Sequence, residues 1–278
     1  MEHNYVIVTG GASGLGKALA ERWAKAGASV CIADINDTAG QALVASLNEL
    51  NGSNSSTHFY ANCDVTKVKS IQHLKEVAIA KWGRIDLVVN NAGVATADKL
   101  EDEPLSQWQW VFDINLFAMV RVSQEFTTVF KKQGRGHFLN VASQAGITPI
   151  PYMASYNASK AALVSLSETM RLELADFNIG VSVLCPGFFK TNLGMSLKTK
   201  SGAMRKMLDR VFEKAELTAD EVADISFERV SRNDFMIVTH PAGQKAYRLK
   251  RFLPTNWYLN SVLKQTTKLR QRVSADEQ

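Results

Sequence analysis

A chain of 278 residues, 46% hydrophobic and 21% charged, carries enough apolar material for a substantial core without disulfide or metal staples. Its three cysteines, Cys31, Cys63 and Cys185, stand far apart among strand-forming residues, which excludes a disulfide framework, and its five histidines lack ligand spacing, so no metal site is expected. The formal charge of +5 is uneven: eight Lys or Arg face two carboxylates from Pro241 to Gln278, a net +6, which leaves everything before them at −1.

The first strand-like run is Tyr5–Thr9, and Met1 to Asn4 leave no room before it for a secretion leader. No apolar run approaches the roughly 18 residues of a membrane helix, so the chain is expected in the cytoplasm. The strand runs into Thr9-Gly10-Gly11-Ala12-Ser13-Gly14-Leu15-Gly16. Glycines there allow a tight turn and a close helix start, whose backbone N–H groups can face a pyrophosphate. A plain glycine-rich turn is the competing reading of that stretch alone. A helical pattern over Leu15–Ala26 leads to a second strand, Ser29–Ala33, which ends in Asp34. A carboxylate at that place can accept both hydroxyls of an adenosine ribose and repel a 2′-phosphate, favouring NAD over NADP. The alternative is that Asp34 caps the next helix, a role better suited to Asp37.

Further strands are expected at His58–Asn62, Ile85–Asn90, Gly136–Ala142, Gly180–Cys185 and Phe235–Thr239. Helical patterns lie between them at Asp37–Asn51, Val68–Trp82, Leu105–Phe130, Ser155–Phe177 and Thr218–Ser231. Strict alternation predicts an α/β fold, a single Rossmann-type doubly wound parallel sheet of about seven strands with helices on both faces. Residues 1–240 read as one domain, and 241–278 as a basic extension, partly helical. The stretch 187–217 is long for a strand-to-helix connection and rich in Met, as substrate loops often are. Tyr156 and Lys160, four apart in a helical pattern, share one face, and Ser143 follows the apolar strand ending at Ala142.

Taken in order, these residues closely resemble the short-chain dehydrogenase/reductase family, in its branch of T-G-x-x-x-G-x-G and Y-x-x-x-K motifs. Gly10, Gly14 and Gly16, with Ser13 and Leu15 between them, match its glycine turn. Asp64-Val65 matches its adenine-contacting pair, and Asn90-Asn91-Ala92-Gly93 its N-N-A-G. Asn115, Ser143, Tyr156 and Lys160 match its catalytic tetrad. Pro186-Gly187 with Thr191 matches the P-G-x-x-x-T that meets the nicotinamide carboxamide. The resemblance covers about residues 4 to 195. It implies an NAD-dependent oxidoreductase in which Tyr156 moves the hydroxyl proton, Lys160 bonds the nicotinamide ribose, Ser143 orients the substrate oxygen, and Asn115 holds a relay water. It also implies a homo-oligomer, a dimer or tetramer. The carboxyl end departs from the family, because the short glycine-ended finish of many tetrameric relatives is missing.

Removing a hydride from a carbinol carbon requires a base for the hydroxyl proton, and the Lys160 ammonium is expected to lower the pKa of the Tyr156 phenol. Around that centre stand Val94, Ala95, Gln144, Ala145, Ile150, Tyr152, Met153, Phe188 and Phe189. An apolar cover follows in Leu193, Met195, Leu197, Met204, Met207, Leu208, Val211 and Phe212. Met-rich covers adapt to apolar ligands, so the substrate is expected to be a lipophilic secondary alcohol or ketone. Alternatives are an NADP-dependent carbonyl reductase and a silent NAD-sensing module, the latter at odds with the intact tetrad. A nucleic-acid binder fits poorly with the neutral body. Thr255–Arg272 reads as one amphipathic basic helix, with Tyr258, Leu259, Val262, Leu263 and Leu269 on its apolar side. Such a helix either packs on the body or a second subunit, or lies on an anionic membrane surface.

Overall fold

The computed structural model describes residues 4–51, 57–189 and 197–275. Its strands are β1 (Tyr5–Thr9), β2 (Ser29–Asp34), β3 (Phe59–Asn62), β4 (Leu87–Asn90), β5 (Gly136–Val141), β6 (Ile179–Cys185) and β7 (Met236–Val238). They form one parallel sheet in the order β3-β2-β1-β4-β5-β6-β7. Every residue of β5 and β6 is buried, because apolar side chains on both sides of each strand meet a layer of helices.

One layer consists of α1 (Gly14–Lys25), α2 (Asp37–Asn51) and α8 (Ala219–Ser231). Leu19, Trp23, Leu47 and Val222 from these helices share a core with Val8 and Ile32 of the sheet. The indole of Trp23 meets Phe227 edge-on at 5.3 Å, locking α1 to α8. The opposite layer consists of α3 (Val68–Trp82), α4 (Leu105–Phe112), α5 (Ala118–Gln133) and α6 (Ala154–Glu173). There Ile71, Leu74, Phe126, Phe130 and Met170 bury Val88, Phe138 and Val181. The doubly wound parallel fold expected from the alternation is the fold observed.

Two expectations need correction. The pattern Leu105–Phe130 is not one helix. A π turn at Asp113–Phe117 separates α4 from α5, and because it keeps the chain helical it leaves the apolar stripe unbroken in the sequence. The tail is not one helix either. After β7 the chain forms α9 (Pro241–Phe252), α10 (Thr255–Gln265) and α11 (Thr267–Ala275), with Thr266 ending α10 and bonding the Val262 carbonyl at 2.8 Å. The loop 187–217 contains α7 (Gly202–Glu213), capped by the Ser201 hydroxyl accepting from Met204 N.

The sheet order reverses between β1 and β4. Their carboxyl ends therefore diverge into two layers and open a crevice, the place where doubly wound sheets bind ligands.

Candidate active site

A cavity of about 430 Å³ occupies this crevice, reaching from Asp34 at one end to Leu208 and Phe212 at the other. The first end is made largely of backbone. A Cβ on Gly16 would lie 2.1 Å from the Gly10 carbonyl oxygen, and one on Gly10 would lie 2.8 Å from Ala92 Cα, so neither place accepts a side chain. The Asn91 amide closes the crossing by donating to the Thr9 and Gly10 carbonyls, each at 3.0 Å. Helix α1 then begins after Ser13, whose side chain makes no cap bond and whose helix has no acid in its first turn. Its leading N–H groups face the cavity mouth without a carboxylate to compete with an anion.

At the end of β2 the Asp34 carboxylate accepts from Ala12 N and Asn36 N, both at 3.0 Å, which fixes it on the cavity rim. Asp64 lies beside it and is held by the Thr66 N–H at 2.9 Å and hydroxyl at 2.6 Å. Burial works against the Asp64 charge, but these two bonds together with the nearby charges of Lys67 and Arg121 keep the carboxyl below its ordinary pKa. Ser13, Gly14, Leu15, Val65, Ala92, Gly93, Pro186 and Gly187 also line the cavity. Thr191 lies outside the described residues, as do Leu193 and Met195. A glycine cradle that no Cβ could share, an open helix N-terminus and a fixed carboxylate on the rim together fit an adenine dinucleotide.

Deeper in the cavity, Tyr156 and Lys160 stand one turn apart on α6, both buried. The Lys160 ammonium donates to the Val141 carbonyl at 2.9 Å, and burial lowers its pKa to about 8. Its Nζ lies 5.9 Å from the centre of the Tyr156 ring. Burial raises the Tyr156 pKa, and the Ser143 hydroxyl acts in the opposite direction. The expectation that Lys160 depresses the phenol pKa is therefore corrected: burial prevails, and the same dry environment disfavours charge on both groups. Ser143 lies two residues after β5 and caps a short 3₁₀ turn, accepting from Ala145 N at 3.1 Å.

Asn115 sits in the π turn, fully buried. Its carboxamide oxygen accepts from Val94 N at 2.9 Å, and its nitrogen donates to Val94 O at 3.0 Å and Ser159 Oγ at 3.2 Å. Both donors are spent, so the side chain braces the loop after β4 against α6.

A model of the family described as short chain dehydrogenase matches residues 4–202. The chain belongs to that family. It is 32% identical over 254 residues to a CLA biosynthesis dehydrogenase/reductase of Lactiplantibacillus plantarum, covering 85% of this chain and 87% of the relative. It is 34% identical to a 7alpha-hydroxysteroid dehydrogenase of Escherichia coli, covering 69% and 74%. A short-chain dehydrogenase/reductase from Burkholderia phymatum, solved in complex with NAD, superposes with a TM-score of 0.83 at 30% identity over 90% of this chain and 94% of that one. This short chain dehydrogenase is accordingly an oxidoreductase with a site for a nicotinamide cofactor.

Several residues that shape the site are absent from the motifs. Gly146 is one: a Cβ there would lie 2.7 Å from the Lys160 backbone, so the loop carrying Ser143 can rest on α6 only as glycine. His240 is another. Its Nδ1 accepts from Gly187 N at 3.0 Å, which places the ring proton on Nε2 and pins the Pro186-Gly187 turn to the start of α9. A third group is buried and polar. Ser155 donates to the Glu103 carboxylate, leaving Thr96 to donate to Ser155 at 2.7 Å. Nearby, Asp98 accepts from Lys200 N at 2.7 Å, and Lys198 exchanges backbone bonds with Ala95 and Ala97 at 3.1 Å, so the approach to α7 is latched to the loop after β4. No sequence motif marks these contacts; they join residues from about fifty to about a hundred positions apart.

The apolar end of the cavity takes in Val94, Ala95, Gln144, Ala145, Ile150, Met153, Phe188, Phe189 and Leu197, together with Leu208 and Phe212 from α7. Tyr152 packs nearby without lining it, as does Met207, while Met204 is buried inside the same apolar cluster.

Proposed function

We propose that this short chain dehydrogenase uses NAD to oxidise a lipophilic secondary alcohol, or NADH to reduce the matching ketone. The observation that carries the reading is a single cavity joining a carboxylate rim at Asp34, a buried Tyr156 beside Ser143, and a wall of aliphatic and aromatic side chains. Gly10 to Gly16 and the α1 N-terminus would hold the pyrophosphate, Asp34 the adenosine ribose, and Lys160 the nicotinamide ribose, with Asp64 and Val65 near the adenine. Once bound, the nicotinamide supplies or takes the hydride.

The chain supplies placement and the proton. The Ser143 hydroxyl orients the substrate oxygen, and the Tyr156 phenol takes its proton in oxidation or returns one in reduction. Burial disfavours the Tyr156 phenolate but lowers the Lys160 pKa only to about 8, so near neutral pH the lysine stays largely an ammonium, and the phenolate becomes accessible as bound groups supply compensating interactions. Asn115 keeps the π turn and Val94 in place beside this centre, and a relay water would be held by its main chain. The relatives support an alcohol-and-carbonyl reading, since one is named for a hydroxysteroid and another, in Rhizobium meliloti, for D-beta-hydroxybutyrate. The apolar wall favours the larger, lipophilic class, and the neighbour solved with NAD supports the cofactor.

The test is turnover on matched panels of lipophilic secondary alcohols and short hydroxy acids, each with NAD and with NADP. The reading expects the best efficiency for a lipophilic alcohol with NAD. Preference for short hydroxy acids would overturn the substrate class, and preference for NADP would overturn the role of Asp34.

A further inference from the structure

The tail is where the structure leaves apolar surface uncovered. On one side it is integral to the fold: Tyr258 is buried, Leu269 and Val273 of α11 join Met204, Leu208 and Tyr156 in one apolar cluster, and the Lys250 ammonium bonds the Ile147 carbonyl at 2.7 Å. The other side is bare. Phe252 is 81% exposed and Trp257 72%, flanking the corner between α9 and α10, and Leu249, Leu259 and Leu263 are also exposed.

The charge around this corner has one sign. No Asp or Glu occurs between Asp234 and Asp276, whereas Lys245, Arg248 and Arg251 lie on α9 and Lys264 on α10. Among the described residues none of these four cations is ion-paired, so their charge faces outward unneutralised. A second copy meeting this face about a two-fold axis would set cation against cation. An anionic lipid surface satisfies both halves of the feature: an exposed Trp and Phe suit the interfacial layer, and the basic flanks suit the headgroups.

We propose that the corner of α9 and α10, with Phe252 and Trp257 inserted and Arg248 and Arg251 against headgroups, docks this protein on an anionic membrane surface. No helix among the described residues is long and apolar enough to cross a membrane, so the contact is peripheral and reversible. The proposal stands on the tail alone, whatever the substrate. Its position has a consequence nonetheless, because the bonded partner of Lys250 belongs to the segment following Ser143, and docking therefore holds the substrate end of the cavity near the lipid.

The experiment is flotation of the full chain with vesicles of phosphatidylcholine alone and of phosphatidylcholine mixed with phosphatidylserine, at low and high salt. Binding only to the mixed vesicles, released by salt, is expected. Arg248→Glu with Arg251→Glu should lower partitioning by at least about tenfold, since each cation near such a surface is worth roughly fivefold. Phe252→Ser with Trp257→Ser should also lower it, with thermal melting and oligomeric state unchanged in both pairs. Absence of flotation, or equal flotation with neutral vesicles, would overturn the proposal. So would a change in oligomeric state on replacing Phe252 and Trp257, which would mark the corner as a contact between copies.

Discussion

The two ends of the cavity are built in different ways. At the dinucleotide end the shape is set by main chain against main chain: Gly16 against Gly10, Gly10 against Ala92, and Asn91 bonded to two carbonyls. At the substrate end it is set by side chains delivered from distant segments, with Phe188 meeting Phe212 edge-on at 5.5 Å and Met204, Leu208 and Val273 behind them. A backbone cradle admits almost no variation in sequence, whereas an apolar wall can be assembled from many. The first end is therefore suited to one cofactor class and the second to exchange of substrates.

The sharpest break between the ends should come at Tyr156, which separates chemistry from binding. Tyr156→Phe is expected to lower turnover by ~10²–10⁴-fold while NADH affinity, read by fluorescence titration, stays near native. Loss of affinity in proportion to turnover would mean that the phenol serves the cradle and not the reaction.

Lys160 tests the cost of placing a cation in that dry centre. With its pKa lowered by burial to about 8 from 10.5, the folded protein binds fewer protons than the unfolded chain between those two values, so stability rises with pH there. The penalty is complete below about pH 8 and absent above about 10.5. Lys160→Met, without cofactor, should be inactive yet more stable at neutral pH, by at most about 3 kcal/mol, with the gain vanishing at high pH. Denaturant unfolding at pH 7 and 10.5 reads this directly. A variant less stable at pH 7 would show that the bond to the Val141 carbonyl outweighs desolvation.

Gly16→Ala probes the backbone cradle. Its methyl would have to displace the Gly10 carbonyl, costing about 1–3 kcal/mol of stability and most of the dinucleotide affinity. A native melting temperature with native NADH binding would contradict the close approach. Asp34→Ser should bring the efficiencies with NAD and NADP closer by roughly tenfold, read from kcat/KM for each. The smallest effect is expected at the latch. Asp98→Asn weakens the hold on Lys200 N and should raise substrate KM a few-fold with NADH affinity unchanged, because the change reaches α7 and not the glycine turn.

Legibility from sequence followed the same division. The glycine turn, Asp34, Asn91, Ser143, Tyr156 and Lys160 could be located because each stands at a fixed offset from a strand or helix, in an order that the family resemblance supplies. Strand positions were legible too, since burial on both faces forces continuous apolar runs. The π turn at Asp113–Phe117 was not, because it leaves the apolar pattern intact. The division of the tail at Thr266 was hidden by an amphipathic pattern that continues across it. Contacts such as Gly146 on Lys160, or His240 on Gly187, exist only after the chain has folded, and a sequence without its relatives carries no mark of them. The sign of the Tyr156 shift was missed for a related reason: a neighbouring lysine is visible in the sequence, but the depth at which both groups lie is not.

The most direct measurement of the central claim uses a lipophilic secondary alcohol deuterated at its carbinol carbon, incubated with the native chain and NAD. The account predicts that mass spectrometry finds the deuterium in the reduced nicotinamide, and that Tyr156→Phe abolishes the transfer without abolishing NADH binding. A native chain that binds NADH normally and transfers no deuterium from any alcohol in the panel would contradict it.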